Sequence, residues 1–203
     1  LSRVSFEVHK GEIVGFLGPN GAGKTTTMRI ITGFIAPDEG QVEIDHEPLT
    51  TLNRIALQRR MGYLPENNPV YKGMLVSEFI AFAADLKQLN PARRAKEIDF
   101  VVNATHINEV WYRPIHELSK GYKQRVGLAA ALVGSPDMVI LDEPTEGLDP
   151  NQRVEIRNLI KKLGEHHTIL LSTHVLHEAL SVCQRMLIIN KGMLAAAATF
   201  NPP

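Results

Sequence analysis

The stretch GPNGAGKT, Gly18 to Thr25, constrains this chain more than any other. It fits the spacing G-x-x-x-x-G-K-[ST], follows an apolar run of strand length (IVGFL, 13–17) and opens a helical pattern. Its glycines permit a tight loop whose backbone N–H groups converge on phosphate oxygens, and the helix start behind them adds its dipole. Gly18, Pro19, Asn20, Gly21, Ala22, Gly23, Lys24, Thr25 and Thr26 are the residues expected around the phosphates. Lys24 should reach the β- and γ-phosphates and the Thr25 hydroxyl should ligate Mg²⁺. The motif says nucleotide and leaves kinase, GTPase and ATPase open.

Further apolar runs repeat the strand signal: MVIL (138–141), TILLS (168–172) and MLII (186–189). Such runs are expected for parallel strands covered on both faces. By contrast, Val4, Phe6 and Val8 alternate with polar residues, as do Val42 and Ile44, and both read as antiparallel strands with one wet face. Helical patterns lie between. One runs from Asn151 to Leu163, with Asp149 as N-cap, Pro150 in the first turn and Gly164 as the stop. Another covers Lys123 to Val133, just after LSKGY (118–122). From about Val76 to Ile115 only helical patterns occur, with Asn90-Pro91 as a break and new helix start. This reads as a helical insertion in an α/β core.

MVILDEP places Asp142 and Glu143 at the carboxyl end of a buried strand, where ligands of parallel sheets bind. Asp142 is the expected Mg²⁺ partner, through water. Glu143 is placed to polarise an attacking water, a general-base role worth about 10²–10⁴ in rate. STH (172–174) ends the next buried strand and puts His174 on the same rim, as a γ-phosphate contact. His177 reads as solvated surface, and the other six histidines form no constellation.

Composition excludes several classes. Lys+Arg and Asp+Glu both total 22, so there is no global basic field and no nucleic-acid partner is expected. Cys183 is the single cysteine, which excludes an internal disulfide and a cysteine-built metal site. Lying at helical spacing from Leu176, Ala179 and Leu180, it reads as buried packing. No apolar run approaches the roughly 18–20 residues of a membrane span, and no signal peptide is expected within these residues. Leu1 falls inside a strand-like pattern, so the natural start is expected upstream.

Taken in order, these motifs resemble the nucleotide-binding subunit of ABC transporters, over nearly all 203 residues. GPNGAGKTT resembles the family's Walker A, MVILDEP its Walker B with catalytic glutamate, GLDP (147–150) its D-loop and STH its switch histidine. LSKGY sits where the signature LSGGQ belongs. YLPENNPVY (63–71) and SKGYKQR further resemble the ATPases of bacterial ABC-2-type exporters, including drug-efflux and gliding-motility relatives. The resemblance implies a P-loop NTPase (RecA-like) α/β core with a mainly parallel sheet and a small N-terminal antiparallel β region. One domain would span 1–203, with a helical subdomain at about 74–118. It also implies ATP and Mg²⁺ as ligands, transmembrane subunits as partners and a place on the cytoplasmic face of the membrane.

In the family two cassettes pack head to tail, and the signature of one caps the ATP held by the other. By that resemblance Ser119 and Gly121 act in trans, Asp149 lies at the same seam, and Lys24, Glu143 and His174 carry the hydrolysis. Four departures stand out. Lys120 replaces a glycine and is expected to face solvent; Tyr122 replaces the signature glutamine. Glu66 replaces a glutamine that links Mg²⁺ and water to the helical subdomain, and its carboxylate can still ligate Mg²⁺. The adenine-stacking aromatic is expected upstream of Leu1. A soluble ABC ATPase of DNA repair or translation is the alternative; the DNA type needs a long coiled-coil insert, and 76–115 is too short for one.

Overall fold

A strand covered on both faces must find apolar neighbours above and below, and the continuous runs of this chain do so. In the computed structural model, which describes residues 1–200, one six-stranded sheet has the order β4-β5-β6-β1-β7-β8. The strands are β1 (Ile13–Leu17), β4 (Met61–Leu64), β5 (Met138–Asp142), β6 (Thr168–Thr173), β7 (Arg185–Asn190) and β8 (Met193–Thr199). All pairings are parallel except that of β7 with β8. A separate two-stranded ribbon pairs β2 (Glu43–Ile44) with β3 (Glu47–Pro48).

Successive side chains along each central strand enter different cores, as the period of two requires. Ile13, Val139, Leu141, Ile169 and Leu171 face a core shared with α5 (Lys120–Leu132), α6 (Pro150–Gly164) and α7 (Leu176–Val182). Val14, Phe16, Ile140 and Leu170 face a smaller one with Met28 of α1 (Lys24–Ile31) and Leu57 of α2 (Arg54–Arg60). The segment expected to be helical holds α3 (Val76–Leu86), α4 (Pro91–Ala104) and two 3₁₀ turns, with Asn90 capping α4 through Arg93 N–H at 2.9 Å. Val76, Ile80 and Val101 join the larger core, so these helices are packed onto α5 rather than tethered beside it.

Four local expectations need correction. Val4, Phe6 and Val8 form no strand, although each is half-buried and the Phe6 ring lies 5.4 Å from that of Phe16. Their alternation records burial of one face, which needs an apolar neighbour but no paired backbone. Helix α5 begins at Lys120, three residues before the expected Lys123, because the Ser119 hydroxyl accepts from Tyr122 N–H at 3.3 Å and caps it. Gly164 does not stop α6 through a left-handed turn. It is the last helical residue, and a Cβ there would overlap the Ile13 side chain, so the glycine lets α6 close on β1. Cys183 lies just beyond α7 rather than within it, yet is fully buried as expected.

Candidate functional site

The register of β5, β6 and β1 makes their carboxyl ends level: Asp142 is opposite Ser172, and Leu17 opposite Thr173. The phosphate-type loop leaves β1 at this rim, tied down by Gly18 N–H donating to Thr173 O at 3.2 Å. Its last residue, Gly23, has φ 107° and is the N-cap of α1 with no side-chain cap. Only glycine takes that backbone freely. The first N–H groups of α1 are therefore claimed by no capping side chain, the arrangement an anion needs. Thr25 is half-buried in the first turn and Thr26 is exposed; Pro19, Asn20 and Gly21 form the exposed crest of the loop, with Ala22 buried beneath it.

Lys24 is only 6% exposed. Its ammonium donates to Gly18 O at 2.8 Å and Pro19 O at 3.2 Å, and lies 3.1 Å from Glu143 Oε1. That last contact is an ion pair without directed hydrogen-bond geometry, since Oε1 has no hydrogen-bond partner. The other oxygen of Glu143 is 3.1 Å from His174 Nδ1, and His174 Nε2 is 3.8 Å from Glu146. Lys24, Glu143 and His174, widely separated in sequence, thus form one contiguous polar cluster. Glu143 holds φ at 48°, in the left-handed region that a residue with a Cβ avoids.

Beside them Asp142 is fully buried. Its Oδ1 accepts from the Ser172 hydroxyl at 2.5 Å, while Oδ2 is buried with no hydrogen-bond partner. A hard, oxygen-seeking divalent cation fits such an orphaned carboxylate oxygen. Tyr63, on the neighbouring β4, has a second buried, unpartnered oxygen. Burial pushes its phenol up to about 12, and the Asp142 charge adds to the effect. Tyr63, Ser172 and Gln124 are site neighbours that the sequence did not point to. Ser172 was visible as the first residue of STH, but only as strand.

The remaining expected residues lie elsewhere. Glu66 is exposed and makes no ion pair or hydrogen bond among the described residues, so it is not joined to Asp142 or Thr25. Ser119 and Gly121 line a separate cavity of about 720 Å³ with Tyr122, Arg125, Gln152 and Glu155, to which the phosphate-type loop contributes no wall. Tyr122 donates to Glu109 at 3.1 Å, a bond that raises its phenol. Asp149 is exposed and caps α6 through Gln152 N–H at 3.0 Å. Lys120 is exposed as expected, with its ammonium lying against Gly147 of GLDP. His177 is exposed too.

Comparison with known proteins gives a consistent result. Residues 1–146 match the family model described as ABC transporter. The chain is 38% identical to an uncharacterised ABC transporter ATP-binding protein, YxlF, of Bacillus subtilis, over 96% of this chain and 64% of that protein. It thus spans less than two thirds of that relative's length. It is 35% identical to the lipopolysaccharide export system ATP-binding protein LptB of Haemophilus influenzae, over 98% of this chain and 84% of that one. Among solved structures, cbiO1 of Clostridium perfringens, part of the ABC transporter complex cbiONQ, superposes with a TM-score of 0.87 at 28% identity. That superposition covers 97% of this chain and 80% of cbiO1.

Proposed function

This chain belongs to the ABC transporter family, and we propose that it binds and hydrolyses ATP, coupling the reaction to transport through membrane subunits. The observation that carries this reading is the cluster of Lys24, Glu143 and His174 around an uncapped helix start, with Asp142 Oδ2 free beside it. Each residue then has a task. Lys24 exchanges its loop carbonyls and the single carboxylate charge of Glu143 for the several negative charges of the β- and γ-phosphates. Released from Lys24, Glu143 accepts the proton of the attacking water. His174, with Nδ1 3.1 Å from Glu143 Oε2, fixes that carboxylate beside the γ-phosphate. Mg²⁺, when bound, would supply charge neutralisation of the phosphates, and Asp142 and Thr25 would hold it, with Glu66 of the loop after β4 as a further oxygen donor.

Ser119 and Gly121 open α5 in the manner of an anion site but line a different cavity from the catalytic cluster. This supports a head-to-tail pair of cassettes, in which they cap the γ-phosphate held by a second copy or a related chain. Among the described residues, no helix is long and apolar enough to cross a membrane. Attachment to the cytoplasmic face through transmembrane subunits accords with the family, and resemblance to LptB supports export as the direction. In a calorimetric titration of full-length chain, Lys24→Ala is expected to lose most of its Mg-ATP affinity, since a buried charge facing two phosphates is removed. Unchanged affinity would overturn the reading of the loop.

A further inference from the structure

We infer that Ser172 is a positioning residue for the ATPase reaction, holding both carboxylate residues of the rim with one hydroxyl. The inference rests on the function proposed above. Ser172 is fully buried in β6, directly across the register from Asp142. Its neighbours in that strand are apolar or threonine, and valine or alanine would suit such a position as well. A buried hydroxyl is costly unless it is hydrogen-bonded, so packing alone does not account for it.

The hydroxyl makes two bonds with different targets. It donates to Asp142 Oδ1 at 2.5 Å and accepts from the backbone N–H of Glu143 at 3.0 Å. The first is a charge-assisted bond, the stronger kind. Turning the Asp142 carboxylate would break it, so Oδ1 stays engaged and Oδ2 stays the oxygen available to a cation or its water. The second bond fastens the peptide plane that leads into Glu143, whose φ is 48°. That backbone conformation sets Glu143 between Lys24 and His174. Ser172 therefore acts through its neighbours, fixing the oxygen offered to Mg²⁺ and the residue offered to the nucleophile.

The test is Ser172→Ala in the full-length chain, which removes one oxygen atom and leaves the strand otherwise intact. Calorimetry gives ATP affinity with Mg²⁺ and with chelator, a phosphate-release assay gives kcat, and thermal unfolding gives stability. Affinity without metal should stay within about twofold of wild type. The gain in affinity on adding Mg²⁺ and the kcat should each fall about 10- to 100-fold, the span of one hydrogen bond to a charged group. Two results would overturn the inference. In one, the Mg²⁺ gain and kcat both stay within about twofold. In the other, both affinities fall alike together with the melting temperature, which marks a structural role only. A wild-type chain that binds Mg-ATP without hydrolysing it would instead defeat the ATPase reading, while the Mg²⁺-dependent affinity would still decide the part played by Ser172.

Discussion

Away from the rim, Cys183 is the residue whose chemistry reaches furthest into stability. Its thiol is buried against Gly15, and burial pushes it up to about 12 from an ordinary 9.0. Tyr63 rises likewise to about 12. Both groups keep their protons in the folded chain where the unfolded chain would release them. Their contribution is fully present below the unfolded values and is lost as pH rises through the folded ones. Lys87 opposes this: burial lowers its ammonium to about 8, so the unfolded chain binds the extra proton and stability from this group rises with pH. Comparing wild type with Cys183→Ala separates the thiol from the others. Denaturant unfolding between pH 9 and 11 should show wild type losing about 1.4 kcal/mol more per pH unit than the variant. Parallel curves would mean the thiol is not held protonated.

At the scale of elements, α5 joins the parts of the site. Gln124 is buried and donates from Nε2 to Pro144 O at 2.8 Å, one residue beyond Glu143. One residue earlier, the Lys123 carbonyl accepts from Asn68 Nδ2 at 2.6 Å, which ties in the loop that carries Glu66. Gln124→Ala leaves a buried carbonyl without its donor and should cost about 1–3 kcal/mol by denaturant titration. Glu155→Ala, which removes an exposed partner of Arg125, should cost about 1 kcal/mol or less. A Gln124→Ala loss no larger than that would show that the bond does not hold α5 to the rim.

The same elements explain what the sequence could and could not disclose. Strands buried on both faces write themselves as apolar runs, so β1, β5, β6 and β7 were legible, and so were the chemical groups at their ends. β4 is four residues with a glycine, and β8 is built around four alanines, which have little intrinsic strand preference; β8 forms because β7 offers it an edge. The 4–8 segment shows the reverse, a strand pattern without a strand. Ser172 and Gln124 act through partners 30 and 20 residues away, set by register and helix packing, and no local pattern encodes that. Glu143 was legible as a carboxylate but not as a left-handed residue.

For the whole molecule, the central matter is that two helix starts proposed to bind anions occupy one chain without meeting. The loop before α1 adjoins Lys24, Glu143 and His174, whereas Ser119 and Gly121 open on a separate cavity. Both are used at once if two chains pack with twofold symmetry, since each interface half then supplies what the other lacks. ATP would act as the adhesive, and its hydrolysis would open the pair. The most direct measurement is light scattering on full-length Glu143→Gln with and without Mg-ATP. That substitution keeps the side-chain shape and removes the base. The mass should double with Mg-ATP, and adding Ser119→Arg should return it to monomer while ATP remains bound. A Glu143→Gln protein that stays monomeric at saturating ATP, or a double variant that dimerises equally well, would contradict the account.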